Sequence, residues 1–82
     1  MTVHDFEATL QGLLDRRPFK PFVIELNTRK RLEVDHPFGL ALSEGLAIFI
    51  APGPYGVYFN HDSVTQIIDA PAHAARPRKP KK

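Results

Sequence analysis

Residues 46–69, LAIFIAPGPYGVYFNHDSVTQIID, decide the fold predicted for this chain. They predict an apolar strand, a Gly/Pro turn, a second strand, a tight polar corner and a third strand. No polar residue interrupts LAIFI, residues 46–50. Because an antiparallel strand with one wet face alternates polar and apolar residues, we expect this strand to be covered on both faces. A chain of 82 residues can achieve this by closing its sheet into a barrel, by adding a helix, or by contacting another subunit.

An amphipathic helix is predicted ahead of the strands, from about Val3 or His4 to Arg17. Its apolar positions follow the i, i+4, i+7, i+8 spacing of one helix face: Phe6, Leu10, Leu13 and Leu14. Pro18 ends it, since the residue before a proline avoids the helical region. The connector RRPFKPF, residues 16–22, has the PxxP spacing of a ligand for an aromatic groove. Its two phenylalanines favour instead an ordered elbow between helix and strand.

Six strand segments are predicted after the elbow, and the two on either side of an interruption, RLEVD and LALS, count as one of five strands. FVIEL (22–26) and RLEVD (31–35) alternate like the arms of a hairpin, and HPFG (36–39) then interrupts the pattern as a bulge, corner or loop. The remaining strand segments are LALS, LAIFIA, VYFN and VTQII. We therefore predict an α+β, mainly β fold, in which an N-terminal helix packs on a strongly bent five-stranded antiparallel sheet. The alternative is an α+β roll with an open sheet.

The predicted core combines the helix stripe with the inward positions of the strands. It comprises Phe6, Leu10, Leu13, Phe22, Ile24, Leu26, Leu32, Val34, Leu42, Ile48, Ile50, Val57, Phe59, Val64 and Ile67.

Charge divides the chain into two parts. Residues 1–69 hold nine acids and six bases, a formal net charge of −3, and form the single predicted domain. Residues 70–82, APAHAARPRKPKK, hold five bases and no acid, and we expect a disordered basic tail there. The chain has no cysteine, which excludes a disulfide framework or a zinc–thiolate site. No signal peptide or membrane-spanning stretch is evident, so the cytoplasm is the expected location.

The order of these segments resembles the Sm-like family, in particular the bacterial RNA chaperone Hfq. The likeness rests on FVIELNTRKRLEV near the front and VYFNHDSVTQIIDAP near the back. Phe59, Asn60 and His61 correspond in position to the Tyr-Lys-His corner of that family, and Ile67 and Ile68 correspond to its last strand. Thr28 replaces the turn glycine, Asn60 replaces the phosphate-binding lysine, and Asp62 adds an anion. The chain also resembles short bacterial proteins with an RPFxPF elbow.

The resemblance implies a small Sm-like or SH3-like barrel that binds RNA and forms a ring through its strand edges. The candidate RNA-binding residues combine the corner with the tail: Tyr58, Asn60, His61, Arg76, Arg78, Lys79, Lys81 and Lys82. We expect single-stranded RNA as a possible partner, a homo-oligomer, and no cofactor, metal or membrane. The alternative function is a protein-interaction or assembly module without a nucleic-acid role.

Catalysis is not predicted. His61, Asp62 and Ser63 are adjacent, whereas the side chains of a catalytic triad must converge in a chain of hydrogen bonds. A tight turn explains these residues better, because Asp62 and Ser63 can accept backbone N–H bonds. Asp35-His36 and His61-Asp62 together offer four metal-binding side chains, but they lack the spacing of a known metal motif.

Overall fold

The computed structural model describes residues 1–51 and 55–70 and opens with helix α1, Val3–Leu14. The Thr2 hydroxyl accepts a hydrogen bond from the Asp5 backbone N–H at 3.0 Å and caps the start. The helix ends three residues earlier than predicted and is followed by Asp15, whose N–H donates to the Gln11 carbonyl. One face of α1 is buried, at Phe6, Leu10 and Leu14. The described part of the chain holds no helix with the length and apolar character needed to cross a lipid bilayer.

Six strands follow, in two antiparallel sheets of three strands each. They are β1 Phe22–Leu26, β2 Arg31–Val34, β3 Leu40–Ser43, β4 Leu46–Ala51, β5 Tyr55–Asn60 and β6 Val64–Ile68. The first sheet has the order β2-β1-β6 and the second has the order β3-β4-β5. A 3-10 turn, His61–Ser63, joins β5 to β6 at the predicted polar corner. The β1–β2 hairpin is confirmed, with Phe22 opposite Val34 and Ile24 opposite Leu32.

The prediction of one bent five-stranded sheet closed as a barrel is wrong, although the α+β class holds. The cause lies in residues 35–39, which separate β2 from β3. Pro37 has no backbone N–H to donate to a ladder. The Gly39 N–H instead donates to the His36 carbonyl at 3.1 Å and closes a turn. The chain therefore leaves the first sheet after Val34 and enters the second at Leu40.

The elbow between α1 and β1 is ordered around its two aromatic rings. Phe19 and Phe22 pack with their ring centroids 6.2 Å apart. Phe22 is fully buried, and Phe19 packs against the core cluster. These contacts match the elbow interpretation of RRPFKPF, because a groove-binding PxxP segment would present its side chains to a partner.

The core lies between the two sheets and the buried face of α1. Nine of the predicted core residues are buried: Phe6, Leu10, Phe22, Ile24, Leu26, Leu32, Val34, Phe59 and Val64. A further group is only partly buried: Leu13, Leu42, Ile48, Val57 and Ile67. The prediction missed six buried positions: Leu14, Val23, Leu40, Ala47, Phe49 and Ala51.

Strand β4 faces the opposite way from the prediction. Ala47, Phe49 and Ala51 are buried, whereas Ile50, predicted to be core, is 49% exposed. Ala47 lies opposite Phe59 in the β4–β5 ladder, so its small side chain leaves room for that ring. Within the single chain, therefore, only one face of this strand is covered.

A tight turn between β3 and β4 holds the start of α1 and the corner together. Gly45 has φ +84°, a conformation that favours glycine, and its N–H donates to Glu7 Oε2 at 2.5 Å. Its carbonyl accepts a hydrogen bond from the His61 N–H at 2.8 Å. One glycine thereby links the helix, the second sheet and the corner.

Replacing Gly45 with Ala should lower the free energy of unfolding by about 1 kcal/mol or more, measured by urea denaturation. The added Cβ would lie 3.1 Å from both Val3 Cγ2 and His61 Cδ2, on a strained backbone. Gly12→Ala is the matched control. A Cβ at Gly12 meets nothing within 4 Å, so that helix substitution should stabilise by about 0.5–1 kcal/mol. Shifts of the same sign in both variants would contradict this account of the turn.

Candidate binding surface

The side chains of the second sheet that point away from the core form one continuous surface. The β3–β4–β5 register places Ser43, Leu46 and Asn60 in one row, Ala41, Ile48 and Tyr58 in the next, and Ile50 and Gly56 in a third. Because successive strand residues point to opposite faces, these rows lie on the side opposite to Ala47, Phe49 and Phe59. We call this set of eight residues the outer apolar face.

The outer apolar face leaves large hydrophobic side chains in contact with water. Leu46 is 46% exposed, Ile50 is 49% exposed and Tyr58 is 69% exposed. None of its eight residues carries a charge. A Cβ at Gly56 would lie 3.2 Å from Ile48 Cγ2, so glycine at this position lets Ile48 lean towards β5.

The outer face of the first sheet carries a polar network around Glu25, although Val23 on the same face is buried. Gln66 Nε2 donates to Glu25 Oε1 at 2.5 Å, and Arg31 Nε lies 3.7 Å from Glu25 Oε2. Thus a polar network lies on the first sheet and an uncharged surface lies on the second. The contrast singles out the outer apolar face as the candidate binding surface.

The corner residues predicted to bind RNA have different roles in the structure. Tyr58 is exposed on the outer apolar face. The side-chain oxygen of Asn60 accepts hydrogen bonds from the Asp62 N–H and the Ser63 hydroxyl, each at 3.0 Å, and so caps the 3-10 turn. His61 Nδ1 lies 2.7 Å from the Met1 carbonyl oxygen. Because a carbonyl oxygen can only accept a hydrogen bond, Nδ1 is the donor and carries the hydrogen. The His61 ring also contacts the edge of Phe6.

Two of the three corner candidates therefore have internal partners. No residue type marks this in advance, because Asn and His serve equally as caps and as binding residues. The five tail candidates, Arg76, Arg78, Lys79, Lys81 and Lys82, lie outside the described residues.

Neither the triad nor the metal hypothesis gains support from the geometry. His61 Nδ1 lies 3.4 Å from Asp62 Oδ1 but also faces the Met1 carbonyl, while the Ser63 hydroxyl donates to Asn60. Within residues 1–51 and 55–70, no three His, Asp or Glu side chains are close enough to hold a metal ion. The two pairs Asp35-His36 and His61-Asp62 thus do not form one site.

A half-open cleft of about 490 Å³ lies where β2 approaches the ends of β4 and β5, a feature that the sequence analysis missed. Its apolar lining includes Phe49, Ala51 and Val57. Its charged and polar lining includes Lys30, Asp35 and His36. Lys30 and Arg31 line it together with Glu33 and Asp35, so the charge of the cleft selects no particular ligand.

Comparison of the chain with protein-family models, with curated proteins and with solved structures finds no match. The resemblance to the Sm-like family stays a prediction. The fold and the surface define a small α+β domain of two antiparallel sheets with one uncharged, apolar outer face.

Asn60→Ala should lower the free energy of unfolding by about 0.5–2 kcal/mol, because it removes the acceptor that caps the 3-10 turn. Tyr58→Ala should change it by less than about 0.5 kcal/mol, since the ring is largely exposed. Thermal and urea denaturation at low protein concentration measure both effects. Equal losses in the two variants would mean that Tyr58 contributes to the fold and not to a free surface.

Proposed function

We propose that this chain is a non-enzymatic binding module that binds protein through the outer apolar face. The observation that carries the proposal is the combination of exposure and neutrality: Leu46, Ile50 and Tyr58 are about half exposed or more, with no charge among the eight residues. Removing apolar surface from water contributes about 25 cal/mol per Å², which favours a partner that covers these side chains.

The composition of the face suits a protein partner. Interface cores are depleted of charged residues and enriched in aromatic ones, and Tyr58 supplies a ring with a polar end. Exposed apolar side chains scattered singly need no explanation, but here three lie together on one sheet face. The clustering supports an interaction surface over chance exposure.

Self-association through strand edges forms part of the same proposal. Among the described strands, β5 pairs only with β4, and β6 pairs only with β1. An outer strand exposes a row of backbone N–H and C=O groups that a second chain can pair with. The Sm-like resemblance implies that β5 of one copy pairs with β6 of the next, a heterologous contact that closes into a ring.

Site-specific photo-cross-linking tests the protein-binding proposal. Two variants of the full chain are produced in its natural host, each carrying the photoreactive amino acid p-benzoylphenylalanine. One carries it in place of Tyr58. The control carries it in place of Thr9, an exposed residue of α1. Position 58 should yield adducts with protein on illumination and position 9 should not. If position 58 yields none in folded protein, the outer apolar face is not a protein-binding surface.

Single-stranded RNA is the second candidate partner, and it is favoured by one observation. The Tyr58 ring is 69% exposed beside the corner, and bases stack on exposed aromatic rings. The five bases of residues 70–82 supply cations that can neutralise phosphates. The engagement of Asn60 and His61 in internal hydrogen bonds favours the protein partner over the RNA partner.

A titration with a fluorescent single strand at two salt concentrations tests the RNA candidate. Deleting residues 70–82 should weaken RNA binding and make it less dependent on salt. The slope of log K against log salt concentration should fall in magnitude by about 0.7 for each phosphate that the tail neutralises in the full chain. If binding survives the deletion, Tyr58→Ala should weaken it by about 1–3 kcal/mol, because a base can no longer stack on the ring. Absence of binding by the full chain at low salt rejects RNA as a partner.

A further inference from the structure

We infer that the partner of the outer apolar face is a second copy of this chain, seated face to face across a twofold axis near Ile48. The inference rests on the proposed function, since it names the partner of the same surface. It differs from the edge-to-edge ring: a ring joins unlike surfaces of neighbouring copies, whereas a twofold contact joins like surfaces.

Neutrality is the first argument for a second copy. Charged residues make up 24% of the chain, yet the eight residues of the outer apolar face include none. A partner with a charged surface would lose water from its charges here without meeting an opposite charge. A second copy presents the same uncharged surface, so neither side leaves a charge unpaired. Homodimer interfaces are correspondingly more apolar than those of transient complexes.

Shape is the second argument. The large aliphatic side chains of the face, Leu46, Ile48 and Ile50, all lie on the central strand β4, and Tyr58 stands beside them on β5. The β3 side carries only Ala41 and Ser43, which lie opposite Ile48 and Leu46 in the ladder. The surface is therefore a ridge with a low flank on one side. Two such faces can stack across a twofold axis that runs just beside the ridge, between β4 and β3, so that each ridge lies over the low flank of the other.

Ile48 marks the position of the axis. It is the middle residue of the ridge and lies between Ala41 on β3 and Tyr58 on β5. Points near a twofold axis meet their own equivalents in the partner. Equivalent Ile48 side chains should thus approach one another, while Tyr58 packs at the periphery with its hydroxyl in reach of water.

The size of the face sets the expected strength of this contact. Three strands of four to six residues cover about 20 Å by 15 Å. A standard interface buries about 800 Å² on each partner, so the face alone is small. The dimer should accordingly be weak, with a dissociation constant in the micromolar to millimolar range, and must be measured at high protein concentration.

Chemical cross-linking of single-cysteine variants tests the geometry, because the natural chain contains no cysteine. Stacked sheets lie about 10 Å apart, which is too far for a direct disulfide but within reach of a short bis-maleimide. Ile48→Cys should form covalent dimers with this reagent. Thr9→Cys, placed on exposed α1, should form few, and it measures random collision. An edge-to-edge ring does not bring two copies of residue 48 together.

Sedimentation equilibrium of the full chain supplies the non-covalent measurement. Ile50→Glu should raise the dissociation constant by about tenfold or more, since the dimer would bury a carboxylate without a partner. Thr9→Glu should leave the dissociation constant unchanged. Circular dichroism checks that both variants fold, and if Ile50→Glu unfolds, the Ile48→Cys cross-link decides the question alone.

The outcomes separate this inference from the proposed function. A chain that stays monomeric at high concentration, with no excess of cross-linked dimer at position 48, overturns the inference. Adducts of other proteins at position 58 would then leave the protein-binding proposal standing. Self-association that survives Ile50→Glu, without cross-linking at position 48, assigns the association to the strand edges and also overturns the inference.

Discussion

The contact between Phe6 and Phe59 joins the helix to the second sheet. The two rings meet edge to face, with centroids 6.1 Å apart, and Phe6 is fully buried. Such pairs contribute about 0.5–1.5 kcal/mol beyond the area that they bury. The contact fixes α1 against β5, and therefore decides which face of the second sheet the helix and the core can cover. The hydrogen bonds of Gly45 to Glu7 and His61 connect the β3–β4 turn to α1 and to the corner that follows β5.

Because α1 and the core cover only one face of the second sheet, the other face is left uncovered in the single chain. Ala47, Phe49 and Ala51 take the inner positions of β4, and equally apolar residues remain outside. On the outer face of the first sheet, Glu25 is hydrogen-bonded to Gln66 and lies close to Arg31. The second sheet departs from that pattern, and this departure is the physical basis of the proposed binding surface.

The sequence predicts those parts of the fold in which apolar and polar residues alternate. The α1 stripe and the β1–β2 hairpin are of this kind, and both are found. In β4 every residue is apolar, so periodicity cannot decide which face is buried, and the prediction selects Ile48 and Ile50 in place of Ala47 and Phe49. Pro37 is recognisable as an interruption. The division of the strands between two sheets at this point depends on pairing between residues far apart in the chain. The local sequence pattern does not contain that information.

The candidate site is predictable only in part, for a related reason. Tyr58 lies on the surface, as a stacking or interface residue must. Asn60 and His61 are selected by their position at the corner that resembles the Sm-like family, but their partners, Ser63 and Met1, are set by the turn and by the packing of the helix start. A hydrogen bond between residues that only the tertiary fold brings together leaves no signature in the local sequence.

The division of β4 into an inner and an outer row has an evolutionary consequence. Substitutions at positions 47, 49 and 51 are constrained by volume, because these side chains meet Phe59 and the rest of the core. The fold limits volume much less at positions 46 and 50, which are exposed, and less at the partly buried position 48. In relatives without the partner, the outer row should drift towards threonine, lysine and glutamate while the inner row stays apolar. In relatives that kept it, the outer row should vary in step with positions 41 and 58, so that a family tree would record the history of the interaction.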